Sequence, residues 1–161
     1  MITSAKEADV KVAKNTAFPL SPDSIVTFDR AYVDFNLFQA YEDAKVFFVT
    51  RAKENLRFEL LGQQDITKKK GLQFDQIVQI KDPIQRQKYP GKLRLIGYYD
   101  HDRNKTYIFI TNNFKLAAIT IAQIYKARWQ IELFFKWIKQ NLKIKTSLGT
   151  SKNAVLSQIW V

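Results

Sequence analysis

The chain has 161 residues, 46% hydrophobic and 25% charged, which is enough for one globular domain with a packed core. It has no cysteine and a single histidine, His101. That excludes a disulfide scaffold, a thiolate zinc site, a cysteine nucleophile and a histidine metal cluster, so any metal must take oxygen ligands, as magnesium and manganese do. The net charge of +11 points to a polyanionic partner, of which nucleic acid is the commonest. No stretch approaches the ~18 apolar residues of a membrane helix, the N-terminus lacks the apolar core of a signal peptide, and the absence of cysteine fits a reducing cytoplasm.

Residues from about Ala5 to Phe18 read as a short polar-faced helix, and Pro19, Pro22, Asp23 and Ser24 as a turn. The apolar run Ile25 to Phe28 suits a buried strand ending at Asp29. Asp34 to Ala44 carries Phe35, Leu37, Phe38 and Tyr41 at roughly helical spacing, and Lys45 to Arg51 is a second buried-strand candidate, completing a βαβ unit. From about Leu56 to Asn113 the pattern changes. RFELL, QIVQIK, KLRLIGYY and TYIFIT are β-rich and are separated by polar turns, which predicts an antiparallel β-insertion. One long helix is expected from about Ala118 to Leu142, with Thr120 and Gln123 as a capping box near its start. Gly149 marks a break, and Asn153 to Val161 read as the start of another helix.

At 100° per residue, Tyr125, Arg128, Glu132 and Lys139 share an arc of roughly 60° on that long helix. Ile124, Ala127, Ile131, Phe134, Phe135 and Ile138 lie on the adjoining side and are expected to bury. Arg128 and Glu132 are also an i, i+4 pair, and an ordinary helical ion pair would account for them as well. Asp29 stands at the end of an apolar strand, where α/β active sites place carboxylates. A strand-end carboxylate and a helix carboxylate can jointly hold a divalent cation.

The segment YKARWQIELFFKWIK, Tyr125 to Lys139, resembles the Y-x2-R-x3-E-x6-K signature of a large group of bacterial insertion-sequence DDE transposases. The following QNLKIKTSLGTSKNAVLSQIW is similar to the same group. So are SIVTFDRAYVDF, which resembles the segment around that group's second catalytic aspartate, and VFFVTRAKEN, which matches the next strand. The resemblance implies an α/β, RNase H-like core, partial over residues 1–161, with the β-insertion (about 56–113) before the helix of the catalytic glutamate. It implies two-metal phosphoryl transfer with Mg2+ or Mn2+, and Asp29 and Glu132 as catalytic metal ligands facing one cleft. Tyr125, Arg128 and Lys139 are implied as DNA contacts, with arginine suited to phosphate by its planar fork. The implied partner is double-stranded DNA, both transposon ends and target, and the implied assembly of the intact protein is a homodimer.

The family's first aspartate lies on an earlier strand. Asp9 falls in a helical pattern and Asp23 in a turn, so neither matches it. The first catalytic strand and the N-terminal DNA-recognition domain are therefore expected to be absent from these residues, and the 161-residue polypeptide alone is expected to be inactive. Two other functions compete: a non-catalytic DNA-binding remnant of a decayed gene, and an RNase H-like nuclease of another kind. The Tyr, Arg and Lys around Glu132 argue against the plain nuclease, which needs only carboxylates. Three further features have bland readings: aromatics of the hairpin LIGYYDHDRNKTYIF packed on the partner strand, Lys68 to Lys70 as a solvated turn, and Trp129 and Trp137 as core or interface.

Overall fold

The computed structural model describes residues 20–66 and 71–141. The chain divides into two compact units, Met1–Tyr125 and Lys126–Val161. The expected helix at Ala5 to Phe18, the Lys68 to Lys70 run and the segment beyond Asn141 lie outside the described residues.

Strand β1 (Ile25–Thr27) leads through a 3-10 turn, Arg30–Tyr32, into helix α1 (Phe35–Asp43). Asp34 caps α1 by accepting the Asn36 N–H at 2.9 Å. The chain returns as β2 (Phe47–Arg51), parallel to β1 with Val26 opposite Phe48. This is the predicted βαβ unit. The predicted antiparallel stretch follows as β3 (Phe58–Gln63), β4 (Leu72–Ile80), β5 (Leu93–Asp100) and β6 (Lys105–Thr111). All six strands form one sheet in the order β1-β2-β6-β5-β4-β3, because β6 pairs directly with β2, Val49 opposite Thr111. This mixed α/β sheet, with a long helix after it, fits the expected RNase H-like class. Gly71, just before β4, has a φ of 87°, and a Cβ there would collide with the Tyr99 carbonyl.

Strand residues alternate faces. Phe48, Leu95 and Ile110 join Phe35 and Phe38 of α1 in the main core, with Val78, Ile80, Tyr89 and Leu93. The rings of Phe38 and Phe48 stack 4.2 Å apart. A second helix, α2 (Pro83–Lys88), was not expected from the sequence, although it bears the usual start signal. Asp82 accepts the Gln85 N–H at 2.8 Å and Pro83 occupies the first turn. It delivers Tyr89 into the core, where burial and then the neighbouring Glu42 carboxylate push the phenol well above its ordinary range.

The long helix α3 (Ala118–Asn141) begins where the sequence predicts. In the first unit Ala118, Ile121, Ala122 and Tyr125 are buried at i, i+3, i+4 and i+7. The expected capping box is not how α3 starts, since Thr120 is its third residue. The approach is held instead by Asn113, whose Oδ1 accepts the Lys115 and Leu116 N–H groups at 2.9 Å each. Arg94 adds a clasp from β5. Its Nη1 donates to the carbonyls of Asn113 (3.1 Å) and Leu116 (2.6 Å), while Nε and Nη2 form a bidentate pair with Asp75 at 2.8 and 2.6 Å. Both side chains are 3% exposed. In the second unit the apolar residues do not all bury as expected. Ile131 and Phe134 are more than half exposed, like Leu133 and Trp137, whereas Trp129 is buried. Helical spacing alone gives no information on where the covering surface ends.

Candidate active site

Asp29 follows the C-terminal end of β1, and the local sequence fixes it there. Phe28 continues the pairing with its N–H donating to the Val49 carbonyl (3.4 Å), and the Thr50 hydroxyl donates to the Phe28 carbonyl (2.9 Å). The Asp29 backbone then leaves the strand at φ −70°, ψ 151° and caps the 3-10 turn. Its Oδ1 accepts the Ala31 N–H at 2.9 Å, and its carbonyl accepts the Tyr32 N–H at 3.0 Å. The side chain is thereby oriented by one oxygen while the residue stays half-buried, so the other oxygen can serve as a hard donor. Arg30 turns away to Glu54, 3.6 Å off.

Glu132 and Arg128 lie in the second unit on α3. Arg128 Nη2 donates to Glu132 Oε1 at 2.8 Å, with the side chains 16% and 38% exposed. The i, i+4 relation read from the sequence is thus a formed ion pair, and the guanidinium holds the carboxylate in one orientation. Tyr125 belongs to the first unit, and its ring is fully buried, 5.0 Å from that of Phe109. Lys139 falls within the last turns of α3.

Carboxylate oxygen is the donor that magnesium and manganese prefer, and Asp29 and Glu132 have no softer competitor in a chain without cysteine. No group of three His, Cys, Asp or Glu side chains gathers among the described residues. The donor chemistry therefore fits a divalent cation at each carboxylate.

The hairpin joining β5 and β6 has the packed character read from its sequence. Tyr98 and Tyr107 are buried, and their rings lie 6.4 and 6.3 Å from Phe109. The Tyr99 hydroxyl bonds Asn104, which takes the left-handed turn position at φ 48°. The sequence reading missed two buried polar groups. One is the Arg94–Asp75 clasp. The other is Asn112, whose Oδ1 accepts the Phe48 N–H (2.9 Å) while Nδ2 donates to Glu42 Oε2 (2.8 Å) and the Val46 carbonyl (3.1 Å). A polar dipeptide, Asn112-Asn113, directly after an apolar strand was the only available signal.

Comparison with known proteins identifies the family. The family described as Transposase DDE domain matches residues 1–161. The transposase-named protein y4zB of Sinorhizobium fredii is 36% identical over 165 residues, covering 99% of this chain and 45% of the relative. A protein of Geobacillus stearothermophilus, named as a transposase of insertion sequence element IS5377, is 29% identical over 84% of this chain and 36% of its own length. A third, from Synechocystis and named for element IS4SA, is 24% identical over 94% of this chain and 42% of its own length. The chain thus spans less than half the length of each of these relatives. By the match over its whole length, with the strand-end aspartate and the long glutamate-bearing helix in place, the chain belongs to the DDE transposase family of insertion sequences.

Proposed function

We propose that these residues are part of the catalytic core of an insertion-sequence transposase that cuts and joins double-stranded DNA by phosphoryl transfer. The observation that carries this reading is Asp29, a carboxylate fixed at a strand end by its own turn, in a chain of the DDE family. In the intact protein Asp29 and Glu132 would hold Mg2+ or Mn2+. The bound cations would supply charge to the attacking and leaving oxygens of an in-line displacement. Asp29 keeps its donor atom oriented through the Ala31 N–H, so little reorganisation is needed at the moment of reaction.

Arg128 has two tasks in this reading. It orients Glu132 through one nitrogen, and its guanidinium charge would attract a phosphate of the transposon end once DNA binding uncovers it. Lys139 adds a further phosphate contact. For Tyr125 the same role requires its buried hydroxyl to be uncovered when DNA binds. The homodimer and the cytoplasmic location belong to the same proposal. So does the inactivity of the 161 residues by themselves, since the motif supplies Asp29 and Glu132 and a complete site takes three carboxylates.

The test is binding and cleavage with the 161-residue chain. Titration of a labelled transposon-end duplex at several salt concentrations should give a straight log–log decline as released counterions accumulate. No binding at low salt rejects the reading. Incubation with supercoiled DNA in magnesium and in manganese should give no nicking. Nicking that disappears in Glu132→Ala would show that two carboxylates suffice.

A further inference from the structure

A groove of about 940 Å³ opens in the first unit immediately past the turn that Asp29 caps. One wall is the Ala31–Asn36 segment, another the loop after β2, and the third runs from the end of β4 through α2. Four cations line it: Lys53, Arg57, Lys81 and Lys88. The catalytic-site reading uses none of them. Arg57, Lys81 and Lys88 are exposed, and Lys53 spends one donor on the Val33 carbonyl at 3.3 Å. The two acids in the lining, Asp34 and Asp82, are already engaged as helix caps, accepting the Asn36 and Gln85 N–H groups. The groove therefore carries an excess of two positive charges from four cations against two capped carboxylates.

We infer that this groove is a track for the phosphate backbone of duplex DNA, carrying the strand onward from the position of Asp29. The inference rests on the transposase reading and adds a surface to it. Long flexible ammonium and guanidinium groups around an open trough suit phosphate oxygens, which need charge and reach but no base-specific geometry. The three walls come from three separate segments, so the folded first unit converts scattered cations into one strip. The groove's lining begins at Ala31, two residues along the chain from the carboxylate that would handle the scissile phosphate. Contacts of this kind fix register and do not read sequence.

The test compares two triple variants of the same 161-residue chain, each losing three positive charges. One is Arg57→Gln with Lys81→Gln and Lys88→Gln. The other is Lys45→Gln with Lys92→Gln and Lys105→Gln, exposed residues outside the groove. A labelled duplex of unrelated sequence is titrated from low to moderate salt, with circular dichroism confirming the fold of each variant. The groove variant should reduce the log–log salt slope by about one per lysine or arginine removed, while the control stays close to the parent. Equal slopes for the two variants, with the parent still binding, would overturn the groove and leave the transposase reading intact. A parent that binds no duplex at low salt would overturn both. An unfolded triple variant is replaced by the single changes Arg57→Gln and Lys81→Gln, whose slopes should each fall by about one; unchanged slopes in both overturn the groove.

Discussion

Asp29 is oriented by a hydrogen bond inside its own turn, whereas Glu132 is oriented by Arg128 one helical turn away. The two carboxylates thus differ in what a neighbouring substitution does to them. Arg128→Ala removes the partner of Glu132 and, in the proposed function, a phosphate contact, so it should weaken duplex binding more than Lys92→Ala does, as a salt titration of each variant would show. Tyr89 gives a second residue-level expectation. Its phenol is held neutral by burial and by Glu42, with a folded pKa above that of the unfolded chain. Its contribution to stability is therefore complete below the unfolded value of about 10 and is lost as pH rises beyond it. Chemical denaturation at rising alkaline pH should show the parent losing stability faster than Tyr89→Phe; parallel losses would contradict this. The strand-end place of Asp29 and the pairing of Arg128 with Glu132 were legible, because position in a strand and spacing on a helix are sequence properties. The burial of Tyr125 was not, because the helical wheel places it on the polar arc and only the ring of Phe109 opposite decides otherwise.

Among the elements, the least stable join would be expected where α3 meets the sheet, yet that join is clasped by Arg94, Asp75 and Asn113. Removing one partner of a buried pair strands the other, so Arg94→Ala should cost about 3–5 kcal/mol in denaturant unfolding. The paired change Arg94→Met with Asp75→Leu should recover most of that loss, because no charge is then left buried. If the single variant costs under about 1 kcal/mol, the clasp is not holding the helix approach. The sequence shows β1, α1, β2 and α3 clearly, since period-2 and period-3.6 patterns and turn residues coincide there. It hides α2, whose six residues carry no apolar period and whose only mark is the Asp82-Pro83 start. It also misplaces the start signal of α3, because the groups that satisfy the approach come from β5 and from Asn113, far from the apparent box at Thr120 and Gln123.

At the scale of the whole molecule, a net charge of +11 gives a long-range field, and the groove past Asp29 gives part of that field a definite place. The sheet explains how. A βαβ unit brings Asp29 to a strand end, and the strands that follow carry Lys81 and α2 to the groove that the Ala31–Asn36 segment also lines. Duplex binding should therefore be strongly salt-dependent and weakly sequence-dependent in this chain, checked by competition between transposon-end and unrelated duplexes at equal salt. Global charge was readable from composition; its concentration into one trough depends on three segments meeting, which no local pattern encodes.

The central claim is that Asp29 and Glu132 serve as ligands of a divalent cation that acts on DNA. Manganese titration of the chain with transposon-end duplex, followed by electron paramagnetic resonance, tests it most directly. The account predicts saturable Mn2+ binding that weakens at least about tenfold in Asp29→Asn and in Glu132→Gln. Manganese affinity unchanged in both variants, with DNA binding and fold intact, would contradict it.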